Sequence, residues 1–108
     1  MAKYYVMGNY TAKAFQGFMR DPKQDRSTAV KALTEAVAGT FESLSITRGP
    51  YDFIAVTSGD IPFENFAGVK LAVEASGTVE NMVILEEMDM NKAAEMAAKA
   101  MTGYKPAG

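Results

Sequence analysis

The sequence contains no cysteine, no histidine and no tryptophan among its 108 residues. The absence of cysteine excludes disulfide bonds, thiol catalysis and zinc-finger ligation. The absence of histidine removes the side chain that most often acts as a general base near neutral pH, and also the commonest metal ligand. An enzyme built from this chain would therefore have to transfer protons with tyrosine, aspartate, asparagine or arginine.

Long hydrophobic runs and clustered positive charge are missing as well. The longest apolar runs, such as residues 82–85, are far too short to cross a membrane, and the first three residues lead directly into a strand pattern rather than a signal peptide. The net charge is −2, and lysine and arginine are scattered along the chain. We therefore expect a cytoplasmic protein that binds neither membranes nor nucleic acids.

The sequence also lacks the motifs that usually hold a cofactor or a metal. It has no glycine-rich phosphate loop and no serine nucleophile elbow. Its eight methionines show no recurring ligand spacing and are expected to fill the core. Glu86 and Glu87 are neighbours on a predicted strand, so their side chains point to opposite faces and cannot share one ion. We expect no cofactor and no metal.

What is present is a regular alternation of strand and helix patterns along a chain long enough for one domain. We assign this domain to residues 1–103 and expect residues 104–108 to form a mobile tail. The predicted strands are 3–9, 40–47, 51–58 and 78–87. The predicted helices are 12–19, 22–38, 61–76 and 90–101.

Several residues are predicted to begin or end these helices. Asp21, Asp60 and Asp89 are expected to be N-caps, because a carboxylate there accepts free backbone N–H groups of the first turn. Gly39 and Gly77 are expected to end the helices in the left-handed conformation that glycine adopts readily.

The order of elements predicts an α+β fold, a ferredoxin-like βαββαβ sandwich with an additional C-terminal helix. Helices would cover one face of its antiparallel sheet. The other face is also expected to carry apolar residues, which are Tyr4 or Tyr5, Phe53, and Val83 or Met82. Such a face rarely stays exposed to water, so we expect the chain to form a homodimer, or a larger assembly of dimers, through it.

The stretch from Gly49 to Thr57 combines a tight turn with a buried strand. Gly49 and Pro50 form the turn, and Tyr51 and Asp52 follow at the mouth of the strand. In one interpretation Asp52 accepts backbone N–H groups and Tyr51 fills the edge of the sheet. In the other, both lie at the rim of a ligand pocket between sheet and helices.

Three further polar residues are candidates for the same pocket. Arg26 would bind an anion or pair with Asp52 there, or else be a solvated charge on its helix. Asn9 and Tyr10 would line the pocket, or else form the cap where the first strand ends. The candidate ligand-binding residues are thus Asn9, Tyr10, Arg26, Tyr51 and Asp52.

The segment Gly49-Pro50-Tyr51-Asp52-Phe53-Ile54-Ala55-Val56, followed by Asp60, resembles the GYD domain family. The opening strand Tyr4-Tyr5-Val6-Met7 leading to Thr11, then Arg26 and Gly39, supports the resemblance, which spans residues 3–87. It departs from the family at Thr57-Ser58-Gly59, which stands where acidic and proline residues are more usual. The resemblance implies membership of the dimeric α/β barrel superfamily, in which two ferredoxin-like sheets pack face to face.

Two functions follow as hypotheses. The first is a small homodimeric protein that binds an apolar or aromatic molecule between sheet and helices. The second is a cofactor-independent monooxygenase of the kind found elsewhere in that superfamily, a hypothesis that rests on fold analogy alone. An enclosed apolar pocket with convergent polar groups is the feature that both functions require, and without it the chain would be simply a structural dimer.

Overall fold

The computed structural model of the protein describes residues 2–108. Its strands are β1 (Lys3–Tyr10), β2 (Thr40–Ile46), β3 (Phe53–Ser58) and β4 (Val79–Glu86). Its helices are α1 (Ala12–Arg20), α2 (Arg26–Ala36), α3 (Phe63–Ala75) and α4 (Met90–Gly103). The four strands form one antiparallel sheet in the order β2-β3-β1-β4. The predicted ferredoxin-like βαββαβ fold with a C-terminal helix is thereby confirmed.

The core lies between the sheet and helices α2 and α3. Alternate residues of β1 and β3 point towards the helices and are buried, including Tyr4, Val6, Phe53 and Ala55. Phe66 of α3 packs against Tyr4, with the two ring centroids 4.4 Å apart. The prediction that Phe53 lies on the opposite face is wrong, because Phe53 belongs to the helix-covered set.

The opposite face of the sheet carries two rows of apolar side chains. Tyr5 of β1 pairs with Val56 of β3 and with Leu85 of β4. Two residues further along β1, Met7 pairs with Ile54 and Val83. Residues directly opposite each other in a sheet share a face, so these six side chains form one patch, which we call the open face. Most of them are half-buried and Leu85 is half exposed, since no helix of the described chain packs there.

A bulge in β4 changes which of its residues face the core. The pairing of β1 with β4 shifts between Met7 and Asn9, and Asn81 adopts a left-handed φ of 54°. Val79 is buried with Met82 in the core as a result, although simple alternation predicts it beside Val83 on the open face.

Two helices begin later than their sequences predict. The helix predicted to start at Pro22 begins at Arg26, because Asp25 rather than Asp21 accepts the first-turn N–H, with 2.9 Å between Asp25 Oδ1 and Ser27 N. The next helix has Pro62 rather than Asp60 at its N-cap position. The prediction for Asp89 is confirmed, since its carboxylate accepts the N–H of Lys92.

Gly39, the glycine after α2, permits close packing and does not form a left-handed turn. Ala38 takes the left-handed conformation there, with φ 63°, whereas Gly39 has no positive φ. A Cβ on Gly39 would lie 2.6 Å from Ile61 Cδ1 and 3.0 Å from Thr34 Cγ2. Gly39 therefore allows the end of α2 to approach the loop before α3. Gly77 does adopt the left-handed φ that is predicted for it, at 79°.

Helix α4 extends the molecule to 60 × 31 × 23 Å, and none of its residues is buried. Met90, Ala93, Ala97 and Met101 follow each other at helical spacing and form an exposed apolar stripe. Beyond Gly103 the chain has no regular secondary structure, and its mobility remains a prediction. Within residues 2–108, no helix is both long and apolar enough to span a membrane.

The bulge of β4 makes a stabilising contact with the carboxylate of Glu74, whose charge depends on pH. Glu74 Oε1 accepts the N–H of Met82 at 3.2 Å and lies 3.0 Å from Lys70 Nζ. The hydrogen bond from Lys70, followed by the one from Met82, lowers the pKa of Glu74 below its usual 4.5. A carboxylate whose pKa is lowered on folding stabilises the fold at pH values above its usual pKa. That stabilisation is lost as the pH falls through the folded-state pKa.

We therefore predict that Glu74→Gln lowers the free energy of unfolding at neutral pH, and that the difference from the unmodified protein shrinks between about pH 5 and pH 3. Urea unfolding, followed by circular dichroism at several pH values across this range, would measure this difference in the free energy of unfolding. Glu80→Gln, at an exposed position of β4 itself, is the control and should show no such convergence. A difference that stays constant with pH would contradict this role of Glu74.

Candidate functional site

Asp52 ties the turn before β3 to the end of β1. Its Oδ2 accepts the backbone N–H of Tyr10 at 2.8 Å, and its own backbone N–H donates to the carbonyl of Gly8 at 2.8 Å. The side chain of Asn9 donates to the carbonyl of Pro50 at 3.0 Å and approaches Asp52 Oδ2 at 3.4 Å. The two strands are thus locked at this corner by the side chains of Asn9 and Asp52.

Tyr51 takes part in the same corner through its backbone. Its carbonyl accepts the hydroxyl of Thr47 at 2.6 Å, and the N–H of Thr47 donates to the carbonyl of Asp52 at 2.8 Å. The bonds of Asp52 match its structural interpretation as an acceptor of backbone N–H groups, and the bond of Asn9 joins the end of β1 to the turn. The bond of Tyr51 uses its backbone carbonyl, and the filling of the sheet edge by its side chain remains a prediction. Their use in ligand binding remains a prediction.

Tyr10 and Arg26 lie in a different environment, between α1, α2 and the sheet. The Tyr10 ring packs edge-on against Phe18 with 5.0 Å between centroids, and it lies tilted against Phe53 with 5.3 Å between centroids. Burial raises the pKa of the Tyr10 phenol, and the positive charge of the neighbouring Arg26 opposes that rise. Arg26 contacts Gln24 Oε1 at 3.4 Å, and no carboxylate lies within ion-pair distance of it among residues 2–108.

Arg26 also reaches the wall of a cavity between the sheet, α2 and α3, with a volume of about 250 Å³. The sheet contributes Val6, Phe53, Ala55, Thr57 and Met82 to its lining. Helix α2 contributes Arg26, Ala29, Val30, Leu33 and Thr34, with Val37 just beyond its end. The far wall is Ile61, Phe66, Val69 and Val73. The cavity is therefore apolar over most of its surface, as small-molecule sites usually are.

Thr57 is the unusual member of this lining. The residue is only 4 % exposed, and its hydroxyl has no hydrogen-bond partner among the described residues. The other buried threonine of the lining, Thr34, donates its hydroxyl to the carbonyl of Val30 at 2.8 Å. A buried hydroxyl without a partner costs free energy, so Thr57 lowers the stability of the ligand-free protein.

Sequence reasoning did not select Thr57. The available signal was that Thr57 follows four apolar residues of β3, at the place where the chain departs from the pattern of the family it resembles. Of the five candidates, the structure places Arg26 at the cavity and Tyr10 beside Arg26. It places the other three at the corner.

The lining of this cavity contains few polar or charged side chains. Arg26 is the one titratable residue among the described residues that line it, so the lining supplies no general base at neutral pH. The part of the chain that the structure describes also has no group of three side chains suited to holding a metal ion.

We predict that Asp52→Ala lowers the free energy of unfolding by about 1–2 kcal/mol, because the N–H of Tyr10 loses its acceptor. Asp52→Asn should cost less, since its amide oxygen can still accept this bond. Tyr51→Phe is the matched control, because the bonds of Tyr51 at the corner use its carbonyl. Urea unfolding measures all three variants, and equal stability of Asp52→Ala and the unmodified protein would contradict the locking role.

For Thr57→Val we predict the opposite sign. Replacing the unpartnered hydroxyl with a methyl group should raise the free energy of unfolding of the ligand-free protein by about 1 kcal/mol. Thr34→Val, which leaves a helix carbonyl without its side-chain donor, should not stabilise the protein. A destabilised Thr57→Val variant in the same urea assay would show that the hydroxyl has a partner.

Several solved structures share the fold described above. FFRP-DM1 is similar with a TM-score of 0.52 and 10 % sequence identity, over 82 % of this chain and 100 % of that one. The protein TTHA0845 from Thermus thermophilus is similar with a TM-score of 0.51 and 16 % identity, over 82 % of this chain and 95 % of that one. At these identities the similarity concerns the fold alone. No curated protein sequence matches the chain.

The family comparison covers nearly the whole domain. The model of the GYD domain matches residues 4–97, which include the corner, the cavity lining and most of α4. This match confirms the resemblance drawn from the turn before β3 and from the opening strand. The chain belongs to the GYD domain family.

Proposed function

We propose that this GYD domain protein is a homodimer that binds a small apolar or aromatic molecule in the cavity between its sheet and helices. The observation that carries the proposal is the cavity of about 250 Å³ between the sheet, α2 and α3, whose lining is almost entirely apolar. An unfilled apolar cavity lowers the stability of the ligand-free protein, and a bound molecule would offset that cost.

The composition of the lining supports reversible ligand binding over catalysis. Of fifteen lining residues, only Arg26, Thr34 and Thr57 carry polar side chains, and the hydroxyl of Thr34 is already bonded within α2. Apolar walls with a few fixed polar groups are typical of ligand sites. The alternative hypothesis, a cofactor-independent monooxygenase, gains no support from this lining because it lacks a proton acceptor.

The homodimer is supported by the open face. Its six apolar side chains lie in two rows across β3, β1 and β4, with Tyr5 and Met7 at the centres. A second copy of the same face would cover them in a symmetric arrangement, the commonest for a dimer. The cavity lies on the other side of the sheet, so binding and dimerisation would use separate surfaces.

The binding proposal predicts saturable binding of Nile red, an uncharged dye whose fluorescence rises in apolar surroundings. Ala29→Trp places a large ring at an exposed position that lines the cavity, and we expect it to weaken the binding at least about tenfold. Ala32→Trp, at an exposed position of the same helix outside the cavity lining, is the matched control and should bind normally. Equal affinities of the two variants would place the dye elsewhere and contradict the proposal.

The dimer proposal predicts that sedimentation equilibrium gives twice the mass of the chain at micromolar concentration. Met7→Lys puts a charge at the centre of the open face and should shift the protein to the monomer. Met96→Lys adds the same charge at an exposed position of α4 and should leave the dimer intact. A monomeric unmodified protein, or a dimer that survives Met7→Lys, would contradict the proposed interface.

A further inference from the structure

A second, smaller cavity of about 180 Å³ lies between α1, the start of α2 and the strand residues near Tyr10 and Thr78. The described residues that line it include three cations, Lys13, Arg20 and Arg26, and no acid. The whole chain, in contrast, carries more acidic than basic residues. Positive charge is therefore concentrated at this place, which we call the basic pocket.

The two arginines of the basic pocket meet at one glycine of α1. The side chain of Gln24 donates to the carbonyl of Gly17 at 3.3 Å, and its Oε1 accepts from Arg26 Nη1 at 3.4 Å. Arg20 folds back towards the same glycine, so that its Nη2 lies 3.9 Å from the position that a Cβ of Gly17 would take. Two guanidinium groups from different elements are thus brought to the same side of α1.

The third cation is fixed at the opposite side of the pocket. Lys13 Nζ donates to the carbonyl of Ser76 at 3.0 Å, and the hydroxyl of Ser76 shares a hydrogen bond of 2.7 Å with that of Thr78. An ammonium group has three N–H donors, so this single bond leaves others for a ligand. Lys13 is therefore held at the pocket without being satisfied there.

None of these three charges is neutralised within residues 2–108. The ion pairs of the described chain lie elsewhere, between Lys31 and Glu35 and between Lys70 and Glu74. Asp25 accepts the N–H of Ser27 and the hydroxyl of Thr28, and Asp52 accepts the N–H of Tyr10. Three like charges around one small cavity repel each other, and a bound anion would relieve that repulsion.

We propose that the basic pocket binds a phosphate group, either as inorganic phosphate or as a small phosphomonoester. Guanidinium groups match the spacing of phosphate oxygens and can contact two at a time, and the ammonium of Lys13 adds a third charge. Three cations suit a dianion better than the single charge of a carboxylate. Arg26 is the only described residue that lines both cavities, so phosphate binding here adds to the proposed function and does not depend on it.

Isothermal titration calorimetry at low ionic strength and about pH 8, where phosphomonoesters are dianions, tests the class of ligand. Inorganic phosphate and phenyl phosphate should each bind saturably at one site per chain. Dimethyl phosphate carries a single negative charge and should bind about tenfold more weakly. Tighter binding of phenyl phosphate than of inorganic phosphate would favour a monoester as the ligand, and the reverse would favour the free anion. No saturable binding of either dianion, or equal binding of dimethyl phosphate, would overturn the proposal.

Variants test the location. Arg20→Met and Arg26→Met should each weaken phosphate binding about tenfold, and Arg26→Lys should retain part of the affinity. Lys23→Met removes an equal charge from an exposed position between α1 and α2, outside the pocket lining, and should bind normally. Equal losses in all three methionine variants would indicate general attraction to surface charge and would overturn the site.

Two features keep this test decisive if a variant folds poorly. Arg20 is exposed, so its replacement should leave the fold intact and decides the outcome if Arg26→Met does not fold. Backbone NMR of the unmodified protein also locates the phosphate without any variant. We expect saturable shifts of the Gly17 and Gln24 amide signals, and shifts confined to other parts of the chain would overturn the assignment.

Discussion

The carboxylate of Asp52 accepts the N–H of Tyr10, and within the same corner the N–H of Asp52 donates to Gly8. These two bonds set the position of β3 against the end of β1. Phe53 follows immediately, and its ring lies over Gly8, where a Cβ would come within 3.0 Å of it. The ring then packs on Tyr10 and lines the cavity. A corner held by short polar bonds thus determines where the apolar site begins.

The cavity is a departure from the usual packing of a protein core. Protein cores are normally packed without gaps of this size, and buried hydroxyls normally have partners. Here a cavity of about 250 Å³ lies between the sheet, α2 and α3, and the buried hydroxyl of Thr57 has no partner among the described residues. Both features cost stability in the ligand-free chain. They are consistent with a site whose packing is completed by a bound molecule.

Much of the fold was predictable because it depends on patterns that repeat. Phe53, Ala55 and Thr57 alternate with Ile54 and Val56 along β3. This alternation predicted a strand with apolar residues on both faces, one of which the helices cover. Helical spacing predicted the two helices that cover the sheet. The family resemblance was predictable from the same strand and its turn.

The sequence did not predict the local features that break these patterns. The bulge at Asn81 moves Val79 into the core, and it requires a left-handed residue that no periodicity reveals. Asp25 competes with Asp21 for the same capping role, and only three-dimensional geometry decides between two such acids. Thr57 escaped notice because its importance lies in a missing partner, which is a property of its surroundings and not of its residue type.

The central claim is that the cavity between sheet and helices is where a ligand binds. Methyl-resolved NMR of the protein titrated with decanoate tests it most directly, because the cavity and the open face carry different methyl groups. We predict saturable shifts for Val30, Val69 and Ala55, with Met7 and Val56 unchanged. Shifts confined to the open face, or no saturable shift in the cavity, would contradict the account.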